Sequence, residues 1–456
     1  MITELHLHQI GPAPDLKVEF GERLNLVTGD NGLGKTFLLD ACWYALTRTW
    51  AEGKQFYPSP EVPKKDPPCI KYTLIGKTGK PASSEANYRF SDQSWRGQQA
   101  RPPMPGLVIY ARIDGGFSVW DPARNYWRDG DEGLQRPAAY QFSKDKVWEG
   151  LEEEVAGQKK SVCNGLLRDV EIWRLKGNGA FRLLQGVLEA LSPSEQEMLS
   201  IGEGVRVQID DKKDIPTLKM HYGLVPVTQA AAGMRRVLAL AYLLVWAWEE
   251  HRLMSELQKE NPTNRIVFLF DEVEAHLHPK WQRVFLPSLM KVIAGLLVKG
   301  QVEAITKDPG KSLDQKANSA LKQIPRSVQI IATTHAPLVL ASVETLWRDD
   351  QDKLFIFDLK RDDPSSRPRV TLTETPWAAQ GDAVGWLVSE TFGMKQARSK
   401  EAEIAIEAAE QWMRGDGAHL PDNLRTQEAI HAELCRVLAG HDPFWPRWVV
   451  KTEAKA

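Results

Sequence analysis

Two kinds of apolar pattern divide this chain. Ile2–His8 alternates apolar and polar positions, as a half-buried strand does. Dominantly apolar runs, of which Ile266–Phe270 is uninterrupted, read instead as strands buried on both faces. Leu24-Asn25-Leu26-Val27 is one such lead-in, Leu107–Arg112 is another, and Phe117–Trp120 is a shorter candidate. Ile266–Phe270 ends in acids, as a central parallel strand would, and Val328–Ala332 and Lys353–Phe357 repeat the pattern. Between 51 and 105 prolines and lysines cluster around short strand-like runs at Lys71–Ile75 and Asn87–Phe90, which predicts a β-rich surface insertion. From Asp145 to about Ser192 the period becomes helical. Val205–Ile209 and Thr217–His221 read as a hairpin, and Val237–Glu250 as a strong helix. Gly300–Pro325 reads as a polar loop-plus-helix excursion and Arg361–Pro368 as a loop, and Ala383–Phe392, Lys400–Met413 and Leu424–Leu438 read as three terminal helices.

The motifs sit where these elements change. Gly29-Asp30-Asn31-Gly32-Leu33-Gly34-Lys35-Thr36 joins a strand to the helix that starts at Phe37. It is the G-x-x-x-x-G-K-T phosphate loop. Its glycines let backbone N–H groups wrap a phosphate, and the helix N-terminus adds positive potential. Lys35 would reach the β- and γ-phosphates, and Thr36 would place its hydroxyl on Mg²⁺. The bland alternative is a Gly-rich strand–helix turn without a ligand. After Ile266–Phe270 comes Asp271-Glu272. Asp271 would hold Mg²⁺ through its water shell, and Glu272 would orient and deprotonate the attacking water. Gln329–Thr333 runs into Thr334-His335, where a histidine can contact the γ-phosphate and report its loss. Ala230–Val237, which includes Ala231, Gly233, Arg235 and Arg236, opens a helix with small residues and so forms an anion-binding end or a tightly packed start. His276 and His278 stand at i, i+2, a strand spacing with no obvious third metal ligand nearby.

In this order the motifs resemble the ABC-type ATPase heads of the RecF, SMC and OLD families, and related bacterial ATPases of anti-phage defence systems. The resemblance covers about residues 1–50, 105–145 and 225–360. It implies an α/β P-loop NTPase fold: an ABC-type head with a mixed sheet, an inserted helical lobe and a C-terminal helical appendage. The corresponding domains are 1–145, with the insertion at 51–105, then 146–228, 229–375 and 376–456. By resemblance Gly29–Thr36 is Walker A, Asp271-Glu272 Walker B, Ala231–Arg236 the signature that completes the partner's ATP site, Glu274–Pro279 the D-loop region and His335 the switch histidine. Gln141, ahead of the helical segment, is the candidate Q-loop glutamine, for nucleotide and Mg²⁺. Families of this kind carry Ser two positions before the signature glycine, where this chain has Ala231.

The resemblance further implies ATP and Mg²⁺ as ligands, and head-to-tail dimerisation with two ATPs between protomers. The segment between the P-loop and residue 228 is broken by Pro and Gly, so the coiled coil of SMC proteins is not expected. Leu354–Asp358, Asp349-Asp350 and Asp362-Asp363 do not match a Toprim nuclease pattern. A nuclease or other effector is therefore expected on a separate chain. The leading expectation is an ATP-hydrolysing regulator of such an effector, in anti-phage defence. The alternative is a RecF-like repair ATPase that binds DNA when ATP-bound. A small-molecule kinase needs neither the switch histidine nor a signature. A scaffold that binds ATP with little hydrolysis is the remaining class.

Composition adds boundaries. At 456 residues and 42% hydrophobic the chain can bury a large core. With 58 basic and 60 acidic residues the net charge is −2, so nucleic-acid binding would need a local basic patch. Four scattered cysteines, without a C-x-x-C pair, predict neither disulfides nor a zinc site and fit a reducing cytoplasm. No signal-peptide pattern opens the chain, and no apolar stretch is long enough to span a bilayer. Sixteen tryptophans are read as packing residues.

Overall fold

The structure is a computed structural model. It describes every residue except 78, 98–102, 127–137, 156, 178, 304–326, 362–367, 417–419 and 454–456. Most of the expected excursion at Gly300–Pro325, and the interior of the loop at Arg361–Pro368, lie outside the described residues. The chain divides into two compact units, Met1–Ala379 and Gln380–Ala456.

The first unit opens with β1 (Ile2–His8), β2 (Asp15–Glu19), β3 (Leu24–Gly29), α1 (Lys35–Thr47), β4 (Cys69–Ile75), β5 (Pro81–Arg89), β6 (Ser94–Gly97), β7 (Leu107–Ala111) and β8 (Phe117–Trp120). It continues through α2 (Pro122–Asn125), β9 (Tyr140–Phe142), α3 (Lys144–Glu149), β10 (Leu151–Val155), β11 (Gln158–Cys163), α4 (Leu166–Lys176) and α5 (Gly179–Leu191). Then come β12 (Val205–Arg206), β13 (Asp214–Ile215), β14 (Thr217–Met220), β15 (Gly223–Pro226) and α6 (Ala232–Leu257). It closes with β16 (Ile266–Phe270), α7 (Pro279–Glu303), β17 (Val328–Thr333), α8 (Pro337–Val343), β18 (Lys353–Lys360) and β19 (Arg369–Thr375).

Eight strands form a mixed sheet in the order β19-β18-β3-β17-β16-β7-β8-β9. The inner five, β18, β3, β17, β16 and β7, are parallel, and β19, β8 and β9 are antiparallel at the flanks. Parallel strands are covered on both faces, which is why their sequences are apolar throughout. They also bring all their C-terminal ends to one edge. Gly29, Ala111, Phe270 and Thr333 therefore end side by side, and that edge carries the motifs.

A second, five-stranded antiparallel sheet has the order β2-β1-β4-β5-β6. The 51–105 segment is thus not a surface insertion of its own, because β4 pairs with β1 in register from Leu5↔Tyr72 to His8↔Cys69. Its alternating Ile70, Tyr72 and Leu74 point into a core shared with Leu5 and Leu7 of β1, with α1, and with Val108, Val267 and Ile331 of the large sheet. Helix α1 lies between the two sheets, and Trp43 at its centre is fully buried. Truncating such a residue to alanine costs about 3–5 kcal/mol.

The helical reading of Asp145–Ser192 needs one correction. Leu151–Cys163 is the hairpin β10–β11, which pairs Glu153 with Lys160 and Glu154 with Lys159 across the strands. The glutamates are good helix formers, but opposite charges on facing strands stabilise the ladder. Likewise Thr217–Met220 pairs with Gly223–Pro226, and Val205–Arg206 with Asp214–Ile215, so each strand takes its nearer partner. The second unit holds helices Ala383–Val388, Lys400–Arg414, Gln427–Val437 and Trp445–Glu453. The last three enclose a core of Ala405, Ile406, Ala409, Ile430, Leu434 and Trp448.

Candidate functional site at the edge of the parallel sheet

The phosphate loop leaves β3 and enters α1 with Gly34 as N-cap and neither a side-chain cap nor an acidic residue in the first turn. The first amides of α1 are therefore open to an external anion. Gly32 has φ +81° with open space where a side chain would project, so the loop keeps a left-handed turn and room above it. Asp30, Asn31 and Gly32 form an exposed lip, and Leu33 and Gly34 are half-buried. Lys35 is 5% exposed, and its Nζ donates to the carbonyls of Gly29 (2.8 Å) and Asp30 (3.2 Å). It also lies 3.7 Å from Oε1 of Glu272.

Asp271, at the end of β16, is fully buried. Thr36 Oγ1 donates to its Oδ2 (2.9 Å), and Thr333 Oγ1 donates to its Oδ1 (2.8 Å). Thr333 Oγ1 in turn accepts from the Glu272 amide (2.8 Å). Burial pushes the Asp271 carboxyl above its ordinary pKa, and those two hydroxyls, Lys35 and Arg236 oppose the shift. A hydroxyl beside a buried carboxylate at a phosphate-loop edge is a donor set that fits Mg²⁺.

Glu272 adopts φ +52°, a left-handed backbone that a non-glycine residue holds only where surroundings impose it. Here the imposing contacts are its amide bond to Thr333 and the bond from the Val273 amide to the Thr333 carbonyl (3.1 Å). His335 Nδ1 is 2.6 Å from Glu272 Oε2. The contact is short but poorly aligned, and the buried Oε2 accepts no hydrogen bond among the described residues. A buried carboxylate oxygen without a donor, beside Lys35 and a half-exposed imidazole, can take a proton from a water placed there. Burial, then the neighbouring Glu274 carboxylate, raise the Glu272 pKa against His335 and Lys35.

Glu274 is the residue whose part here the sequence did not suggest. Its Oε1 accepts from the His335 amide (2.7 Å), and its Oε2 accepts from Thr334 Oγ1 (2.7 Å). It fastens the end of β17 to the turn after β16. Its place in Glu274–Pro279 was the available signal, but its partners lie 60 residues on.

The start of α6 is built differently. Ala231 is its N-cap and offers no side-chain bond, and Ala231 and Ala232 are exposed. A side chain on Gly233 would meet the His276 carbonyl at 2.6 Å, so close packing within the chain already requires glycine there. Arg236, available by sequence for a phosphate, is committed inward. It donates to the carbonyls of Ile113 (3.2 Å), Asp271 (3.1 Å) and Glu272 (3.0 Å) and stacks over Phe270. Arg235 lines a cavity of about 140 Å³ with Arg112, Asp114, Lys144 and His276, and its Nε has no hydrogen-bond partner among the described residues. Gln141 sits in β9, where its Oε1 accepts from the Glu52 amide (3.0 Å) and from Ser118 Oγ (2.5 Å). The structure therefore gathers Lys35, Thr36, Asp271, Glu272 and His335 directly, and places Gln141, Ala231, Gly233 and Arg235 outside that cluster. Among the described residues His276 and His278 belong to no group of potential metal ligands.

Residues 152–341 match a family model described as "AAA domain, putative AbiEii toxin, Type IV TA system". Residues 4–80 match a second model described as an AAA domain. The first match spans β16 and β17, and the second spans the phosphate loop. The phosphate loop, the mixed sheet and the two AAA-domain matches give this chain the fold of an α/β P-loop NTPase. No curated protein matches it. Among solved structures, this chain is similar to an SMC head bound to the C-winged helix domain of ScpA, at 12% identity and TM-score 0.39, over 82% of this chain and 97% of that one. It is also similar to the SMC head domain from Thermotoga maritima, at 8% identity and TM-score 0.36, over 83% of this chain and 99% of that one. A third is the recombination mediator RecF with ATP, at 13% identity and TM-score 0.32, over 78% of this chain and 95% of that one. No described helix of this chain is long and apolar enough to cross a membrane.

Proposed function

We propose that this chain is an ATP-hydrolysing switch that pairs with a second copy through composite ATP sites and regulates a separate effector, such as a nuclease, in anti-phage defence. The observation that carries the reading is Glu272. Among the described residues its buried Oε2 accepts no hydrogen bond, lies 2.6 Å from His335 Nδ1 and belongs to a residue 3.7 Å from Lys35. Thr36 and Asp271 would hold Mg²⁺, which would offset the charge of the ATP phosphates. Lys35 exchanges its resting bonds to Gly29 and Asp30 for phosphate oxygens. Glu272 orients the attacking water and takes its proton. His335 contacts the γ-phosphate and, through Glu272 and Glu274, feels its departure. The amides at the start of α6, near Gly233, face the nucleotide of the second copy, with Arg235 beside them. The wording of the matched family, which refers to a type IV TA system, supports the defence setting.

Steady-state turnover and light scattering test this together. Glu272→Gln is expected to lower ATP turnover by about 10²–10⁴-fold while retaining ATP, and ATP is expected to double the mass of that variant in solution. Unchanged turnover removes Glu272 as the base, and a mass indifferent to ATP removes the composite site. Turnover stimulated by DNA would move the protein to the repair reading.

A further inference from the structure

Away from the nucleotide edge, β1 and β2 present a second cluster of ligating groups. His6 and His8 stand two residues apart on one face of β1, and Asp15 faces His8 across the β1–β2 pair. Asp15 Oδ1 lies 2.5 Å from His6 Nε2 and 3.2 Å from His8 Nδ1. One ligand atom from each of the three residues falls within 4.8 Å of the others. The far nitrogen of His8, Nε2, is 2.9 Å from Asp66 Oδ1, and Gln9 Nε2 donates to Asp66 Oδ2 (3.1 Å). From these distances we propose that His6, His8 and Asp15 form a site for a transition-metal dication of the zinc class, with Asp66 as the outer carboxylate that orients His8.

The contacts fit such a site: His8 meets Asp15 through Nδ1 and Asp66 through Nε2, and His6 Nε2 meets the same Asp15 oxygen. With a metal, His8 is neutral, keeps its Nε2–H on Asp66 and gives its Nδ1 lone pair to the ion. That carboxylate–histidine–metal chain is the arrangement by which metal-bound imidazoles are held in one tautomer. Two imidazoles and one carboxylate select zinc-like ions over Mg²⁺ or Ca²⁺, which prefer all-oxygen sets. The cationic neighbours on this face are Lys17, 3.9 Å from Asp15 Oδ2, and Lys71, opposite His6 in β4. Both are exposed, so their ammonium groups can turn to water.

The position gives the ion a task. The turn between β1 and β2 packs on the phosphate loop, with Gly11 against the Phe37 ring and Pro12 against Gly34. Asp66 belongs to the proline-rich segment that leads into β4. An ion here would staple both strands and that segment at the base of the turn.

The test titrates the full chain, without nucleotide, with Zn²⁺ alone against a chromophoric chelator and with Co²⁺ alone by its visible absorption. A Cys435→Ser background removes the exposed Cys435–His431 pair, whose Sγ and Nε2 are 3.6 Å apart. One ion per chain is expected, with binding at least about 100-fold weaker in His8→Ala and in His6→Ala, and about 10–100-fold weaker in Asp66→Asn. Zn²⁺ is expected to raise the melting temperature of the parent but not of His8→Ala, with the two melting alike in chelator. Equal binding by parent, His6→Ala and His8→Ala overturns the proposal. So does an ion that is lost in Glu272→Gln but kept in both histidine variants, since it would belong to the Glu272, Glu274 and His335 cluster.

Discussion

The end of β16 and the start of α6 are both read as parts of an ATP site, yet they are built in opposite ways. Asp271, Glu272 and Glu274 are buried, and each is tied to a residue at the end of β17. Ala231 and Ala232 are exposed, with no capping side chain, and the guanidinium of Arg236 is turned back to hold the β16 end. The β16 end is held by contacts within the chain, whereas the first amides of α6 have no side-chain acceptor among the described residues, a gap that the proposed pairing of two copies would fill.

The contrast breaks most directly at Lys35. If the β16 half binds nucleotide unaided, Lys35→Ala should weaken ATP binding by about 10–100-fold, the worth of a charge-assisted hydrogen bond, even in protein dilute enough to stay monomeric. Undiminished affinity by calorimetry would put the nucleotide elsewhere. The two adjacent arginines sharpen the same point. Arg236→Ala strands the carbonyls of Ile113, Asp271 and Glu272 and should cost about 2–4 kcal/mol in a denaturant melt. Arg235→Ala should leave the melt within about 0.5 kcal/mol, yet reduce ATP-dependent assembly. Equal melts for the two variants would show that Arg236 is not the anchor described. Glu274→Gln should destabilise the fold by about 1–3 kcal/mol, because the retained amide can accept from only one of its two partners. A wild-type melt for that variant would remove Glu274 as the fastener of His335.

The strands that carry the site were legible because burial on both faces leaves a dominantly apolar run, as in Ile266–Phe270 and Val328–Ala332. The phosphate loop and Asp271-Glu272 were legible for a different reason: each residue type there has one chemical task. What the sequence hid is non-local. Nothing near Glu274 names Thr334, and nothing near Glu153 names Lys160. Arg236 was open to either role, since only folding sets whether a guanidinium at a helix start points to solvent or to the carbonyls behind it. In β4 the alternation of Ile70, Tyr72 and Leu74 was visible, but not that the inward face would meet α1 and complete a sheet begun by β1.

The smallest effect isolates the exposed half. Ala231 is an N-cap with extended backbone, φ −55° and ψ 149°, and the first amides of α6 have no side-chain acceptor. Ala231→Ser supplies one, and N-cap replacements of this kind are worth about 1 kcal/mol. That gain belongs to the isolated chain and should appear in a melt without nucleotide. A serine hydroxyl that also reaches the phosphate of a second copy adds a separate effect, a change of a few-fold in turnover, roughly 1 kcal/mol in barrier. The two separate by concentration. The capping gain is independent of protein concentration, whereas the turnover change requires assembly and should vanish on dilution below it. A turnover change that persists in dilute monomer would mean that the start of α6 acts on the nucleotide of its own chain, and the contrast between the β16 end and the start of α6 would fail.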